Sequence, residues 1–209
     1  MSRTSQNRAI LASLVALVTA LPLTAFAEAA SPRATVGLYY FDGWSGKTSH
    51  ITKTLQNEFA DRMPVWGWKD DSVEIMEKQI DYCADHDIAF WAFCWYYPEE
   101  ENKQTPLNNA LGFYLKAPNR NRLKFCLNVC NETGCLIRPK DWDAVCSQWI
   151  EMFKQPSYLR LDDKPVLIML SPWNLERDFG GPEAVRKAWE SFRAKVKDAG
   201  LPGVVIVTC

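Results

Sequence analysis

Histidine is nearly absent from this chain, with two residues in 209, His50 and His86. One falls in a loop and the other at a helix end, and neither has a second ligand at metal-binding spacing, so no metal site is indicated. Charge of one sign is also missing. With 24 Lys and Arg against 25 Asp and Glu and no basic block, the chain lacks the electrostatic footprint of a nucleic-acid binder. No Gly-x-Gly-x-x-Gly or phosphate-cradling loop follows the first strand expected below, which argues against a nucleotide partner. Nothing in the sequence calls for a cofactor. Low-complexity segments and Gly/Ser linkers are missing too, so the chain beyond its amino-terminal segment reads as one architecture or part of one.

That amino-terminal segment has the anatomy of a secretory signal peptide. Arg3 and Arg8 form a positive region, residues 10–20 an apolar run ended by Pro22, and Ala25-Phe-Ala27 a small-x-small site ahead of Glu28. The run is too short for a secure transmembrane helix, which disfavours the alternative of an uncleaved anchor. Residues 1–27 are expected to be removed, leaving 28–209 as a single domain in the periplasm or outside the cell.

What the chain has in quantity is aromatic residues: nine Trp, seven Tyr and ten Phe. Several gather in residues 88–97, a run apolar on both faces between a polar helix end and an acidic loop, which reads as a central parallel strand. Its last residues, Trp95, Tyr96 and Tyr97, fall where an α/β protein places ligand-contacting groups, at the carboxyl end of a strand. Rings beside carboxylates suit a sugar, whose C–H faces stack while its hydroxyls find polar partners; the plainer alternative is that these rings fill the core.

Strands and helices alternate around this run. Strands are expected at 35–41, 88–97, 123–129, 165–170 and 203–208. A helix over 72–86 carries Val73, Met76, Ile80, Cys83 and Ala84 on one face, with Asp71 and Glu74 spaced as a capping box. A short helix follows from Leu107, Ala110, Leu111, Tyr114 and Leu115, and a strongly amphipathic one from Trp142, Val145, Cys146, Trp149, Ile150 and Phe153. Pro182 opens a last helix bearing Val185, Ala188, Trp189, Phe192 and Val196, and Gly200 closes it. Such alternation implies a parallel sheet, either open and doubly wound or a (β/α) barrel. The missing phosphate loop and the polar or aromatic residues ending successive strands favour the barrel.

Five segments then follow one another as in the glycoside hydrolase family 99-like domain: Val36-Gly-Leu-Tyr-Tyr-Phe-Asp-Gly-Trp44, Pro64-Val-Trp-Gly-Trp68, Asp87-Ile-Ala-Phe-Trp-Ala-Phe-Cys-Trp-Tyr-Tyr97, Lys124-Phe-Cys-Leu-Asn-Val-Cys-Asn-Glu132 and Tyr158-Leu-Arg-Leu-Asp-Asp-Lys-Pro-Val166. The resemblance runs from about Val36 to the end of the sequence, and the group includes endo-mannan hydrolases and WbsX-type polysaccharide proteins. It implies a (β/α)8 TIM barrel acting on α-mannan-type or related glycans through two carboxylates late in the barrel. No matching late segment lies in these residues. Trp173-Asn-Leu-Glu176 looks similar but follows the fourth strand and lacks Glu directly after Asn. The catalytic residues are therefore unassigned, and the chain is expected to be an incomplete barrel of about five parallel strands, inactive in hydrolysis.

The candidate substrate-binding residues are Tyr40, Asp42, Trp44, Trp66, Trp68, Trp95, Tyr96, Tyr97, Asn128, Asn131 and Glu132. Tyr40 ends the first strand, and Asp42, Trp44, Trp66 and Trp68 lie in a loop of about thirty residues after it, a length usually functional in a compact domain. Asp42 also fits a turn, being followed by Gly43. Asn128, Asn131 and Glu132 cluster after the third strand, where a carboxylate can bind a sugar or do acid-base work, or simply stand in solvent. One loop carboxylate does not supply the pair that glycoside hydrolysis ordinarily uses. Of seven cysteines, Cys83, Cys94, Cys126 and Cys146 read as small buried hydrophobes, whereas Cys130 and Cys135 bracket one short loop and are expected to form a disulfide in an oxidising compartment.

Three functions of different classes fit: a glycan-cleaving hydrolase or a fragment of one, a glycan-binding protein without turnover, and a glycosyltransferase-type protein of surface polysaccharide assembly. Export disfavours the third, since activated sugar nucleotides are mostly cytoplasmic. Open sheet edges would also let the fragment associate with itself.

Overall fold

The computed structural model describes residues 34–98 and 105–209. The expected signal peptide and residues 99–101 of the acidic loop lie outside the described residues.

Residues 88–95 form a strand because aromatic and apolar side chains on both faces find cover on both. This strand, β2 (Ile88–Trp95), pairs in parallel with β1 (Val36–Tyr40) on one side and β3 (Lys124–Cys130) on the other. β3 continues in parallel to β5 (Lys164–Leu170), and β5 to β6 (Val205–Thr208). The exception is β4 (Arg160–Leu161), antiparallel to the start of β5. Asp162 and Asp163, with φ of 49° and 63°, form the two-residue turn that joins them, a conformation aspartate tolerates better than most residues. The result is a mixed α/β fold with a six-stranded, mostly parallel sheet.

The helices expected from periodicity are present and face the sheet as their apolar spacing requires. All six marked residues of α4 (Trp142–Phe153) are buried. In α2 (Val73–Ala84) the cap is Ser72, whose hydroxyl accepts from the Ile75 N–H at 3.3 Å, in place of the box expected on Asp71 and Glu74; the residue three on from the cap is Ile75, which has no polar group to close a box. The extended backbone of Ser72, at φ −144° and ψ 161°, allows that reach. Two shorter helices escaped the sequence reading, α1 (Lys53–Glu58) in the loop after β1 and α5 (Pro172–Phe179). Between them, α3 (Asn109–Lys116) follows β2, and α6 (Pro182–Asp198) ends as Gly200 takes up φ 82°.

A tryptophan-rich layer locks α4 and α6 to the sheet. Trp149 is fully buried, lies nearly parallel to Trp189 with centroids 6.2 Å apart, and meets Trp95 of β2 edge-on at 6.1 Å. Glycine permits one close approach here. A Cβ on Gly37 would stand 2.2 Å from Phe90 Cζ, so only glycine lets the Phe90 ring lie across β1.

The sheet is curled. Four strand gaps of about 4.8 Å would hold β1 and β6 roughly 19 Å apart in a flat sheet, yet the Cys209 side chain is close enough to Tyr39 to help burial raise its phenol. Among the described residues β1 and β6 each pair on one side only, and Val36, Leu38, Tyr39 and Val207 stand exposed there. No helix of the described residues is long and apolar enough to cross a membrane.

Candidate functional site

The long loop after β1 closes at its neck, where the Asp70 N–H donates to the Trp44 carbonyl at 3.3 Å. Within it, Thr52 caps α1 through its hydroxyl, and the chain then turns back through Pro64 and Gly67, whose φ is 89°. That return brings Trp66 and Trp68 over the edge of the sheet. Together with Tyr40, Trp44 and Trp91 they wall a cavity of about 580 Å³, which Arg62, Asp70 and Gln79 supply with polar groups. A drug-sized or disaccharide-sized ligand fits such a volume.

Its polar floor is a short chain of hydrogen bonds. The Tyr40 hydroxyl lies 2.7 Å from Gln79 Oε1 and 3.2 Å from Asp70 Oδ2. A phenol has one hydrogen, so it donates to only one of them, and the shorter contact takes it. Burial raises the pKa of Asp70, and the contact with Tyr40 partly offsets the rise. Burial, followed by the Asp70 and Asp42 charges, holds the Tyr40 phenol far above its ordinary range. Asp70 Oδ1 is buried without a hydrogen-bond partner among the described residues and belongs to a side chain that lines the cavity. A ligand hydroxyl would satisfy it.

Asp42 does not line this cavity. It is buried, and its Oδ2 accepts the Ala110 N–H at 2.6 Å, with a further backbone bond from Asn109. It thus caps the first turn of α3, whose own N-cap residue is otherwise engaged: Asn108 Nδ2 donates to the Tyr96 carbonyl at 2.8 Å and Asn108 Oδ1 accepts the Tyr96 N–H at 3.0 Å. Burial pushes Asp42 up to about 6 despite the backbone donors, with Asp70 adding to the rise.

The remaining candidates separate into two further places. Trp95 and Tyr96 border a second cavity of about 500 Å³ with Lys47, Asn108, Asn109 and Lys116. Trp95 is largely core, and Tyr97 sets its hydroxyl 3.5 Å from Asp141 Oδ1. Beyond β3, Asn131 is fully buried and structural, its Oδ1 accepting from the Ile137 N–H at 2.8 Å and its carbonyl from Asn174 Nδ2 at 2.7 Å. Glu132 is exposed, yet the Ser171 hydroxyl donates to Oε1 and Asn174 Nδ2 to Oε2 at 3.4 Å. Asn128 donates to Cys94 Sγ at 3.6 Å.

The expected Cys130–Cys135 disulfide is not formed; both residues are thiols. Cys130 ends β3 with its side chain on the face shared with Cys94, while Cys135 Sγ lies 3.0 Å from the Cys130 carbonyl and 3.2 Å from the Glu132 carbonyl, with one hydrogen to give to one of them. Cys126 and Cys146 follow the buried reading, and burial pushes each up to about 12. His50 sits against Phe41 and Trp44, and His86 stacks on Tyr82. Among the described residues no three His, Cys, Asp or Glu side chains are placed to hold a metal ion.

Sequence reasoning missed Asp70, Gln79, Ser171 and Asn174. Gln79 carried a signal, being a polar residue on the apolar face of α2 between Met76 and Ile80. Asn174 lay in the segment set aside as a look-alike, and nothing local marked Ser171. No family model matches the chain, and no curated protein matches it.

Proposed function

We propose that this chain is an exported carbohydrate-active protein, glycoside hydrolase-like in architecture, that binds a neutral polysaccharide of α-mannan or related type and does not hydrolyse it in this form. The observation that carries the reading is the cavity beside β1. Aromatic walls from Tyr40, Trp44, Trp66 and Trp68 stand over a buried carboxyl, Asp70, that has an oxygen to offer, which is the chemistry a pyranose requires on its face and its rim. Five sequence segments in the order of the family 99-like domain point the same way.

A (β/α)8 barrel is the architecture that this reading extends to. Its support is the parallel order β1-β2-β3-β5-β6, the curl that lets Tyr39 meet Cys209, and the gathering of Asp42, Tyr96, Asn131, Glu132 and Ser171 beyond the carboxyl ends of the strands. Turnover is disfavoured by the state of the carboxylates. Asp42 caps a helix, Asp70 is tied to Tyr40, and Glu132 is held by Ser171 and Asn174; no two of them face each other across an open cleft as glycoside hydrolysis ordinarily requires.

The test is titration of the purified chain with manno-oligosaccharides and a panel of neutral glycans, followed by tryptophan fluorescence and by release of reducing ends. Saturable quenching without released sugar is expected. A folded chain that binds none of the panel overturns the glycan reading, and released sugar overturns the absence of turnover.

A further inference from the structure

The second cavity, of about 500 Å³, takes no part in the glycan reading of the first. One of its walls is a single face of α3. Asn109, Gly112, Phe113 and Lys116 follow one another at i, i+3, i+4 and i+7, so they stand in one row along the helix, and all four line the cavity. Gln148 of α4 and Lys47 of the loop after β1 reach it from other elements, and Tyr96 borders it just beyond β2. The Asn108 side chain fixes Tyr96 to the start of the helix wall, bonding its N–H at 3.0 Å and its carbonyl at 2.8 Å.

Gly112 points to an occupant. Glycine is the poorest helix former short of proline, and this one lies in the middle of α3 with no positive φ to require it. A Cβ placed on it would meet nothing within 4 Å. Neither the backbone conformation nor packing inside the chain calls for glycine here, and what its missing side chain leaves is open space in the cavity wall.

The charge around that space has one sign. Lys47 and Lys116 line the cavity, no carboxylate stands among its described lining residues, and neither lysine forms an ion pair among the described residues. The side-chain amides of Asn109 and Gln148 likewise make no hydrogen bond there. An aromatic carboxylate would satisfy the lysines but would displace water from the amides without replacing its bonds. A hydroxyl-rich anion answers both groups.

We propose that this cavity is a second carbohydrate site, for an acidic sugar of the hexuronate class. Lys47 and Lys116 take its carboxylates, Asn109 and Gln148 its hydroxyls, and a ring lies over Gly112 beside the half-buried Tyr96 and Phe113. The volume admits a ligand of disaccharide size. The site stands whatever the cavity beside β1 binds, since the two share no lining residue.

The experiment titrates the purified chain with digalacturonate, with the neutral disaccharide of the same linkage and with benzoate, followed by calorimetry and by saturation-transfer NMR. Digalacturonate should bind saturably and more weakly as salt is raised, and the neutral disaccharide and benzoate should each bind roughly tenfold more weakly or worse. Lys47→Gln and Lys116→Gln, both at exposed positions, should each weaken digalacturonate binding roughly fivefold. Gly112→Leu should abolish it while the thermal midpoint holds or rises, because leucine fills the open space and is the better helix former. A folded Gly112→Leu chain that still binds, lysine variants that bind like wild type, a neutral disaccharide or benzoate that binds as tightly as digalacturonate, or no saturable binding would each overturn the proposal.

Discussion

Asp42 Oδ2 accepts the Ala110 N–H at 2.6 Å across 68 positions of sequence, and through that bond the loop after β1 caps the helix after β2. The bond ties two candidate ligand-bearing segments to each other.

A pH dependence follows from it. Asp42 titrates at about 6 in the folded chain because it is buried, and at 3.8 where it is unperturbed. Between those values the folded chain holds a proton that the unfolded chain has released. The stability from this proton is present in full below about pH 4 and is lost as pH rises through 6, on the order of 2–3 kcal/mol by pH 7. Asp42→Asn keeps an acceptor for Ala110 and cannot titrate. Urea denaturation at pH 4, 5, 6 and 7 should show wild type losing stability relative to the variant over that window; parallel curves would place the titration elsewhere.

Trp66 and Trp68 are half-buried, at the wall of the larger cavity, and belong to no core cluster. Trp66→Ala or Trp68→Ala should each weaken glycan binding by about 1 kcal/mol, roughly fivefold in Kd, with little change in the unfolding midpoint. Trp149→Ala is the contrasting control. It empties a fully buried site and should cost about 3–5 kcal/mol of stability.

Self-association should follow from the unpaired edges of β1 and β6. Light scattering of residues 28–209 should give a mass above that of the monomer, increasing with concentration. Leu38→Lys, at a position 45% exposed on the β1 edge, should lower it. A wild-type chain monomeric at all concentrations would remove the edge contact.

Export is checked at the amino terminus. In cells expressing the whole chain, mass spectrometry of the secreted or periplasmic fraction should find a mature start between Ala27 and Ser31. Intact Met1 in the membrane fraction would contradict it.

Much of the fold was legible residue by residue. The six apolar residues of α4 mark its buried face because a helix repeats every 3.6 residues whatever it packs against, and residues 88–95 announce a two-sided strand for the corresponding reason. The short elements were not legible. Six residues of α1 are too few to establish a period, and β4 has only two residues, held by their pairing with β5 rather than by a pattern of their own. Ser171 escaped notice because its left-handed backbone, φ 60°, is imposed by the turn into α5.

The sequence by itself determined the alternation of strands and helices, their buried faces and the aromatic supply near the strand ends, since each depends on side-chain chemistry repeated along a few neighbouring residues. Only the tertiary structure decided how those side chains were shared out. Tyr40, Trp44, Trp66 and Trp68 meet around one cavity, while Asp42 goes to α3 and Asn131 to the backbone of residue 137. Cys130 gives its thiol hydrogen to the Asn128 carbonyl of its own strand and does not pair with Cys135 five residues away. The reason is physical: partners in a parallel sheet are set by register between segments tens of residues apart, and nearness along the chain does not decide which side chains share a face.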